Sequence, residues 1–223
     1  MKEIEYMASN KDFSQHTLFE RYPFFTCCLP ANLEQAALHD FETLWNLHPA
    51  QSNEILIHGR MVAIPRWQQA YGRDYQFSGT VNQALPLPVV LAPFLGWVRQ
   101  AIDIRLNGLL LNWYDATRRH YIGAHRDSRQ GLVTGTPIVT ISLGESRTFR
   151  LRIPRERGFT DFEATHGIVF VMPWETNLNV KHEVPHTART KGRRISITAR
   201  AFVEERQMSR AQCVILPEET PHE

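Results

Sequence analysis

The sequence predicts an α+β fold, with helices and hairpins in the N-terminal half packed on a β-sandwich or barrel in the C-terminal half. Three observations carry this. Apolar residues at helical spacing occur over 31–48 and 88–104. Residues 52–80 mix short apolar runs with Arg, Gln, Tyr and Gly, the texture of a hairpin-rich, mobile segment. From Gly108 onward, short β-type runs follow one another, punctuated by Gly, Pro and Asp.

Taken in order, residues 1–30 hold scattered aromatics with Pro23 and Pro30, and are expected to be irregular. Over 31–48, Leu33, Ala37, Phe41 and Leu44 fall on one face of a single helix. Over 88–104, Leu91, Phe94, Leu95, Val98 and Ile102 do the same; Pro88 suits the first turn, and Pro93 allows a start a few residues later. Strands are expected at 109–114, 138–143, 148–153, 168–172 and 195–202, and the tail 217–223 is expected to fray.

The 223 residues suit one domain, here divided into a lid at about 52–80 and a core at about 108–203. Apolar residues make up 43% and charged residues 22%, ordinary for a soluble protein, and no apolar run nears the roughly 20 residues of a membrane span. The opening segment mixes acids and lysines without an apolar stretch, so no secretory signal is expected. Three cysteines, two of them adjacent and none in a CxxC pair, fit a reducing cytoplasm better than a disulfide framework. A net charge of +2 leaves nucleic-acid binding to local patches.

Among ten histidines, His125 stands out because Asp127 follows at i+2. On a strand these two side chains share a side, and an imidazole from a neighbouring strand would complete a two-histidine, one-carboxylate site for non-haem iron(II). The candidate third ligand lies in Lys181-His182-Glu183-Val184-Pro185-His186, which also matches the HExxH zinc-peptidase pattern. That pattern needs a helix, and Pro185 opposes one. His182 is therefore preferred, with His186 its rival.

Arg194-Ile195-Ser196-Ile197-Thr198-Ala199-Arg200 alternates perfectly. Either its polar face is solvated, or two arginines among small hydroxyls hold a dicarboxylate. Asn112 and Tyr114 share a strand face and offer amide and phenol to the same acid.

Together, Asn112-x-Tyr114, His125-x-Asp127, Pro137-Ile138-x-x-x-Ser142-Leu143-Gly144, His182 and the Arg194–Arg200 pair resemble the AlkB family of iron(II)- and 2-oxoglutarate-dependent dioxygenases, above all its eukaryotic-type DNA-repair branch. The likeness covers about 55–203. Ile57-His58-Gly59-Arg60 stands where that branch has a base-probing finger, and Pro65-Arg66-x-Gln68-x-x-Tyr71-Gly72 with Tyr75-x-Phe77-Ser78-Gly79 looks like its lid.

The resemblance implies a double-stranded β-helix (jelly-roll) core with N-terminal helices and a hairpin-rich lid. It makes His125, Asp127 and His182 the iron ligands. Arg194 would bind the distal carboxylate of 2-oxoglutarate with Tyr114 and Ser196, while Asn112 and Arg200 lie near the chelating carboxylate. O2 is the oxidant; 2-oxoglutarate loses CO2 to become succinate as a substrate C–H is oxidised.

The implied substrate is an alkylated base in DNA or RNA, flipped between Tyr71 or Tyr75 and a histidine near the iron, in a monomeric, cytoplasmic (or nuclear) enzyme. Arg60, Arg66, Arg73, Arg118, Arg119, Arg126 and Arg129 fall in segments expected to surround the mouth, where each either contacts phosphate or is an ordinary solvated surface charge. Two departures from the family pattern stand out. Ser128 and Arg129 follow the HxD where repair enzymes carry an acid, and His58 occupies the finger. A small-molecule hydroxylase, with Arg129 on an acidic substrate, is the alternative; a non-catalytic binding module is the remaining one.

Overall fold

The computed structural model describes residues 2–204 except 58, 78 and 79. In chain order the elements are α1 Lys2–Ser9, β1 Ser14–Leu18, β2 Tyr22–Cys28, α2 Ala31–His39, α3 Phe41–Trp45, β3 Glu54–Ile57, β4 Arg60–Ala63, β5 Trp67–Tyr71, β6 Tyr75–Phe77, β7 Thr80–Asn82 and β8 Ala84–Leu85. They continue as α4 Ala92–Ala101, β9 Gly108–Asp115, β10 Ile122–His125, β11 Ile138–Gly144, β12 Arg147–Arg152, β13 Thr160–Ala164, β14 Ile168–Met172, α5 Trp174–Asn179, β15 Lys181–Val184 and β16 Arg193–Arg200.

Two sheets form the framework. One has eight strands in the order β1-β2-β14-β11-β16-β9-β5-β8, and the other has four in the order β10-β15-β12-β13. All pairings in these sheets are antiparallel except β5 with β8. This is the expected α+β jelly roll.

Each sequence-expected strand forms, with ends that match or shift by at most two residues. The expected single helix at 31–48 is two, because the chain leaves helical geometry at Asp40 (φ −93°, ψ 12°). α4 is shorter than its apolar pattern. A 3-10 turn over Val89–Leu91 leads into it, and Pro93 sits in its first turn, where its missing N–H costs nothing. The expectation of irregular structure before residue 30 is wrong: β1 and β2 form a hairpin on the edge of the large sheet. Pro23 does not prevent this, because it lies in the part of β2 that pairs only with β1.

Alternation along the central strands divides the core. On β9 and β16, Leu109, Leu111, Trp113, Ile195, Ile197 and Ala199 face the helices, where they join Leu44, Trp45, Phe94 and Val98. The opposite faces look into the space between the sheets. That space is filled at one end by Phe24, Phe149, Leu151, Phe170 and Val184, and the other end is left open as a cavity. Burial of these two apolar layers is the main force holding the sheets face to face.

Residues 52–80, expected to act as a lid, form two hairpins, β3–β4 and β6–β7, with β5 between them in the chain. β4 is exposed along its length, as a projecting finger would be. Its turn carries Gly59 at φ +77°, while His58 lies outside the described residues, as do Ser78 and Gly79. Among the described residues, no helix is long and apolar enough to cross a membrane.

Candidate active site

β10 and β15 are neighbours in the small sheet, and their register sets His125 opposite His182. The pairing slips between Ile122 and His125, an irregularity that re-aims the last residue of the strand. Asp127 lies beyond the end of β10, so the pair does not sit on one continuous strand as expected from its spacing. Two hydrogen bonds fix it instead. The Asp127 amide donates to Asn177 Oδ1 at 3.1 Å, and Asn177 Nδ2 donates back to the Asp127 carbonyl at 3.2 Å.

Asp127 Oδ1 then lies 3.8 Å from His125 Nε2 and 3.9 Å from His182 Nε2. One ligand atom from each residue falls within 4.8 Å of the others. His125 Nδ1 is 2.8 Å from the Gly123 carbonyl, which selects the tautomer that leaves Nε2 bare for a metal. His182 lies against Phe149, ring to ring at 5.4 Å, and its buried Nδ1 has no partner among the described residues.

Electrostatics favour the deprotonated ligand set. Burial lowers the His125 pKa, and the neighbouring His182 lowers it further against the pull of Asp127. His182 is lowered chiefly by burial as well. Burial would raise the Asp127 pKa, but Arg200 and the two histidines outweigh it and hold the carboxyl below its usual range. Two neutral imidazoles and one carboxylate, with room beside them, are the donor set that suits iron(II).

Deeper in the same cavity lies Arg194, 1% exposed. Its Nε donates to Ser142 Oγ at 2.9 Å, while the buried Nη1 and Nη2 have no partner among the described residues. Tyr114 stands across from it on β9, with Arg194 Cζ 5.2 Å from the ring centre, and burial lowers the Arg194 pKa to about 10. A buried guanidinium with both terminal nitrogens bare is costly unless an anion fills the space in front of it. Ser196 and Thr198 line the same wall, so the polar face of β16 is buried rather than solvated.

Arg200, at the other end of that face, donates from Nη2 to Asp127 Oδ2 at 2.7 Å and lies 4.4 Å over the Tyr75 ring. The Tyr75 hydroxyl in turn accepts from the Ser128 amide. Arg66 enters from the lid segment, and its Nε donates to Asn112 Oδ1 at 2.8 Å.

The structure thus gathers Arg66, Tyr75, Asn112, Tyr114, His125, Asp127, His182, Arg194, Ser196 and Arg200 around one cavity of about 170 Å³. It does not bring in Tyr71, expected as a lid aromatic. That side chain alternates to the other side of β5, packs in the helix-side core and donates to the Leu47 carbonyl. Arg129 is exposed and outside the cavity. His186 is exposed too, with Tyr121 beside it, and β15 is a strand, which removes both the rival ligand and the zinc-peptidase pattern.

Two residues were missed. Asn177, from α5, had no readable signal. Arg147 did: it alternates with Phe149 and Leu151 on the buried face of β12, where it donates to the His120 carbonyl and lies 5.9 Å over Tyr114.

Sequence comparison agrees with this geometry. Residues 30–200 match the model of the 2OG-Fe(II) oxygenase superfamily, and the chain belongs to that superfamily. Its cofactors are accordingly iron(II), 2-oxoglutarate and O2. The AlkB-type motifs are matched by relatives. The chain is 29% identical over 160 residues to DNA oxidative demethylase ALKBH2 of Bos taurus, covering 67% of this chain and 57% of that protein. It is 29% identical to the Mus musculus ALKBH2, covering 67% of each. With the alpha-ketoglutarate-dependent dioxygenase alkB homolog 3 of Rattus norvegicus it shares 28% over 148 residues, 61% of this chain and 50% of the relative. The chain thus spans about half to two-thirds of the length of these relatives. The solved structure of OsALKBH1 superposes with a TM-score of 0.55 at 15% identity, over 84% of this chain and 99% of that one, a likeness of fold.

Proposed function

We propose that the chain is an oxidative demethylase of N-alkylated bases in DNA or RNA, acting as a single-domain monomer wherever its nucleic acid resides, in cytoplasm or nucleus. The observation that carries this reading is one cavity holding, from mouth to floor, a two-histidine, one-carboxylate cluster and a buried arginine with two bare nitrogens. The names of the relatives, DNA oxidative demethylases, point to the same substrate class.

In this reading His125, Asp127 and His182 hold the iron through Nε2, a carboxylate oxygen and Nε2. Arg194 takes the distal carboxylate of 2-oxoglutarate with its bare Nη1 and Nη2, helped by Tyr114 and Ser196. Arg200 keeps Asp127 ionised and aimed, and with Asn112 borders the chelating end. When bound, iron(II), 2-oxoglutarate and O2 together supply the oxidising power that converts an N-methyl group to N-hydroxymethyl. The hydroxymethyl group then leaves as formaldehyde, returning a proton to the ring nitrogen.

A polymer cannot enter a cavity of about 170 Å³, but a single flipped base can reach its mouth. The β3–β4 hairpin, exposed along β4, is the candidate wedge that keeps the base out of the stack, and exposed Arg129 meets phosphate beside the mouth. Residues 52–80 would act as the recognition lid and 108–203 as the catalytic core.

The test is an incubation with iron(II), 2-oxoglutarate and methylated oligonucleotides, with formaldehyde, succinate and the repaired base measured together. The expected result is matched formaldehyde and succinate that fall steeply as salt rises. Succinate production coupled to a free metabolite, and to no oligonucleotide, would leave a small-molecule hydroxylase in its place.

A further inference from the structure

The arginines around the cavity are not equally neutralised. Asp127 is the one carboxylate among the described lining residues, and Arg200 occupies its second oxygen. Arg194 faces the floor with bare nitrogens suited to a carboxylate. Arg126, at the cavity wall, is exposed and donates to the Leu178 carbonyl. That leaves Arg66, which is 7% exposed and borne on the lid segment. Its Nε donates to Asn112 Oδ1 and its Nη2 to Gln68 Oε1 at 3.0 Å, both neutral amides. No carboxylate pairs with Arg66, and its Nη1 has no protein acceptor, among the described residues. Where a carboxylate could have offset this charge, directly after Asp127, the wall carries Ser128.

A buried guanidinium whose orientation is locked by two amides presents a fixed donor and a positive charge whose hydrogen bonds among the described residues all go to neutral groups, with Asp127 acting on it only through space. We infer that Arg66 makes the substrate pocket selective for N-alkylated bases that are electrically neutral and carry a ring carbonyl beside the alkylated nitrogen, and selective against cationic bases that carry an amine there. A carbonyl accepts from Nη1. An amine at the same place sets donor against donor, and a cationic ring adds like-charge repulsion at low dielectric. This rests on the demethylase reading and narrows it to one class of lesion.

The test uses oligonucleotides identical except for one residue. N3-methylthymine, with a carbonyl on each side of the alkylated nitrogen, and N1-methylguanine form the neutral pair; N1-methyladenine, with an amine and no carbonyl there, and N3-methylcytosine form the pair that is cationic at neutral pH. N1-methylguanine and N3-methylcytosine each carry one carbonyl and one amine beside that nitrogen, so they isolate the effect of charge. Formaldehyde release is expected to give a kcat/KM about tenfold or more higher for the neutral pair. Arg66→Gln should pull the ratio of the two classes toward one, and Ser128→Asp should raise turnover of the cationic pair. A ratio of this kind does not move if Arg66 merely supports the fold, because general damage lowers both classes together. Equal or faster release from the cationic pair overturns the inference and leaves the demethylase reading standing. Iron- and 2-oxoglutarate-dependent succinate with no formaldehyde from any of the four oligonucleotides overturns both.

Discussion

Arg200 Nη2 and Asp127 Oδ2 form a hydrogen-bonded ion pair at 2.7 Å, with side-chain exposures of 3% and 5%. The pair divides the carboxylate between two tasks, since Oδ1 faces the imidazoles while Oδ2 is held by the arginine. Arg200→Met fills similar space without the charge and should weaken iron(II) binding by about 10- to 100-fold, as loss of an outer-shell partner does. Competition with a chromophoric chelator measures it. Unchanged affinity would mean that Asp127 needs no partner to be aimed.

His182→Ala should remove iron-dependent succinate formation, since one of three ligand atoms is lost. His186→Ala, at an exposed position outside the cluster, should leave turnover within about a factor of two, as surface substitutions usually do. The reverse pattern would reassign the third ligand.

Arg194→Met should raise the KM for 2-oxoglutarate by roughly 10- to 150-fold, the equivalent of about 1.5–3 kcal/mol for charge-assisted hydrogen bonds. Stability of the empty protein should fall little or even rise, because a buried cation with two unpartnered nitrogens has been removed. Thermal melts with and without 2-oxoglutarate separate the two effects.

Burial raises the pKa of Tyr71 to about 12, and that of Tyr75 to about 12, there with Asp127 contributing and Arg200 opposing. A group whose folded pKa lies above its unfolded value of about 10 stabilises the fold below that pH and loses the contribution as pH climbs. Stability should therefore decline between about pH 10 and 12, in step with the appearance of the last tyrosinates. Normal titration of all six tyrosines in a folded chain would contradict this.

Gly144 ends β11 at φ +88°, and a Cβ there would stand 2.4 Å from the Arg193 carbonyl. Gly144→Ala should cost roughly 1–3 kcal/mol, the range for strain at a left-handed position. Denaturant unfolding checks it, and a cost below about 0.5 kcal/mol would show that the β11–β16 junction can shift.

The chemistry of the site was legible in the sequence because strand periodicity is local. Alternation on 194–200 and on 112–114 fixes which side chains share a face, and Pro185 bars a helix through the HExxH string, whatever the rest of the chain does. Lengths of apolar pattern likewise marked α4 and the strands of the large sheet. What sequence alone left open depended on partners distant in the chain. β2 is a strand because β14 offers it an edge, β1 pairs in turn with β2, and Asp127 is placed by Asn177 fifty residues away. Tyr71 and Arg66 lie five residues apart on one segment, yet packing sends the first into the helix-side core and the second into the cavity. Pattern decides which face a residue takes; only the packing of the two sheets decides what that face meets.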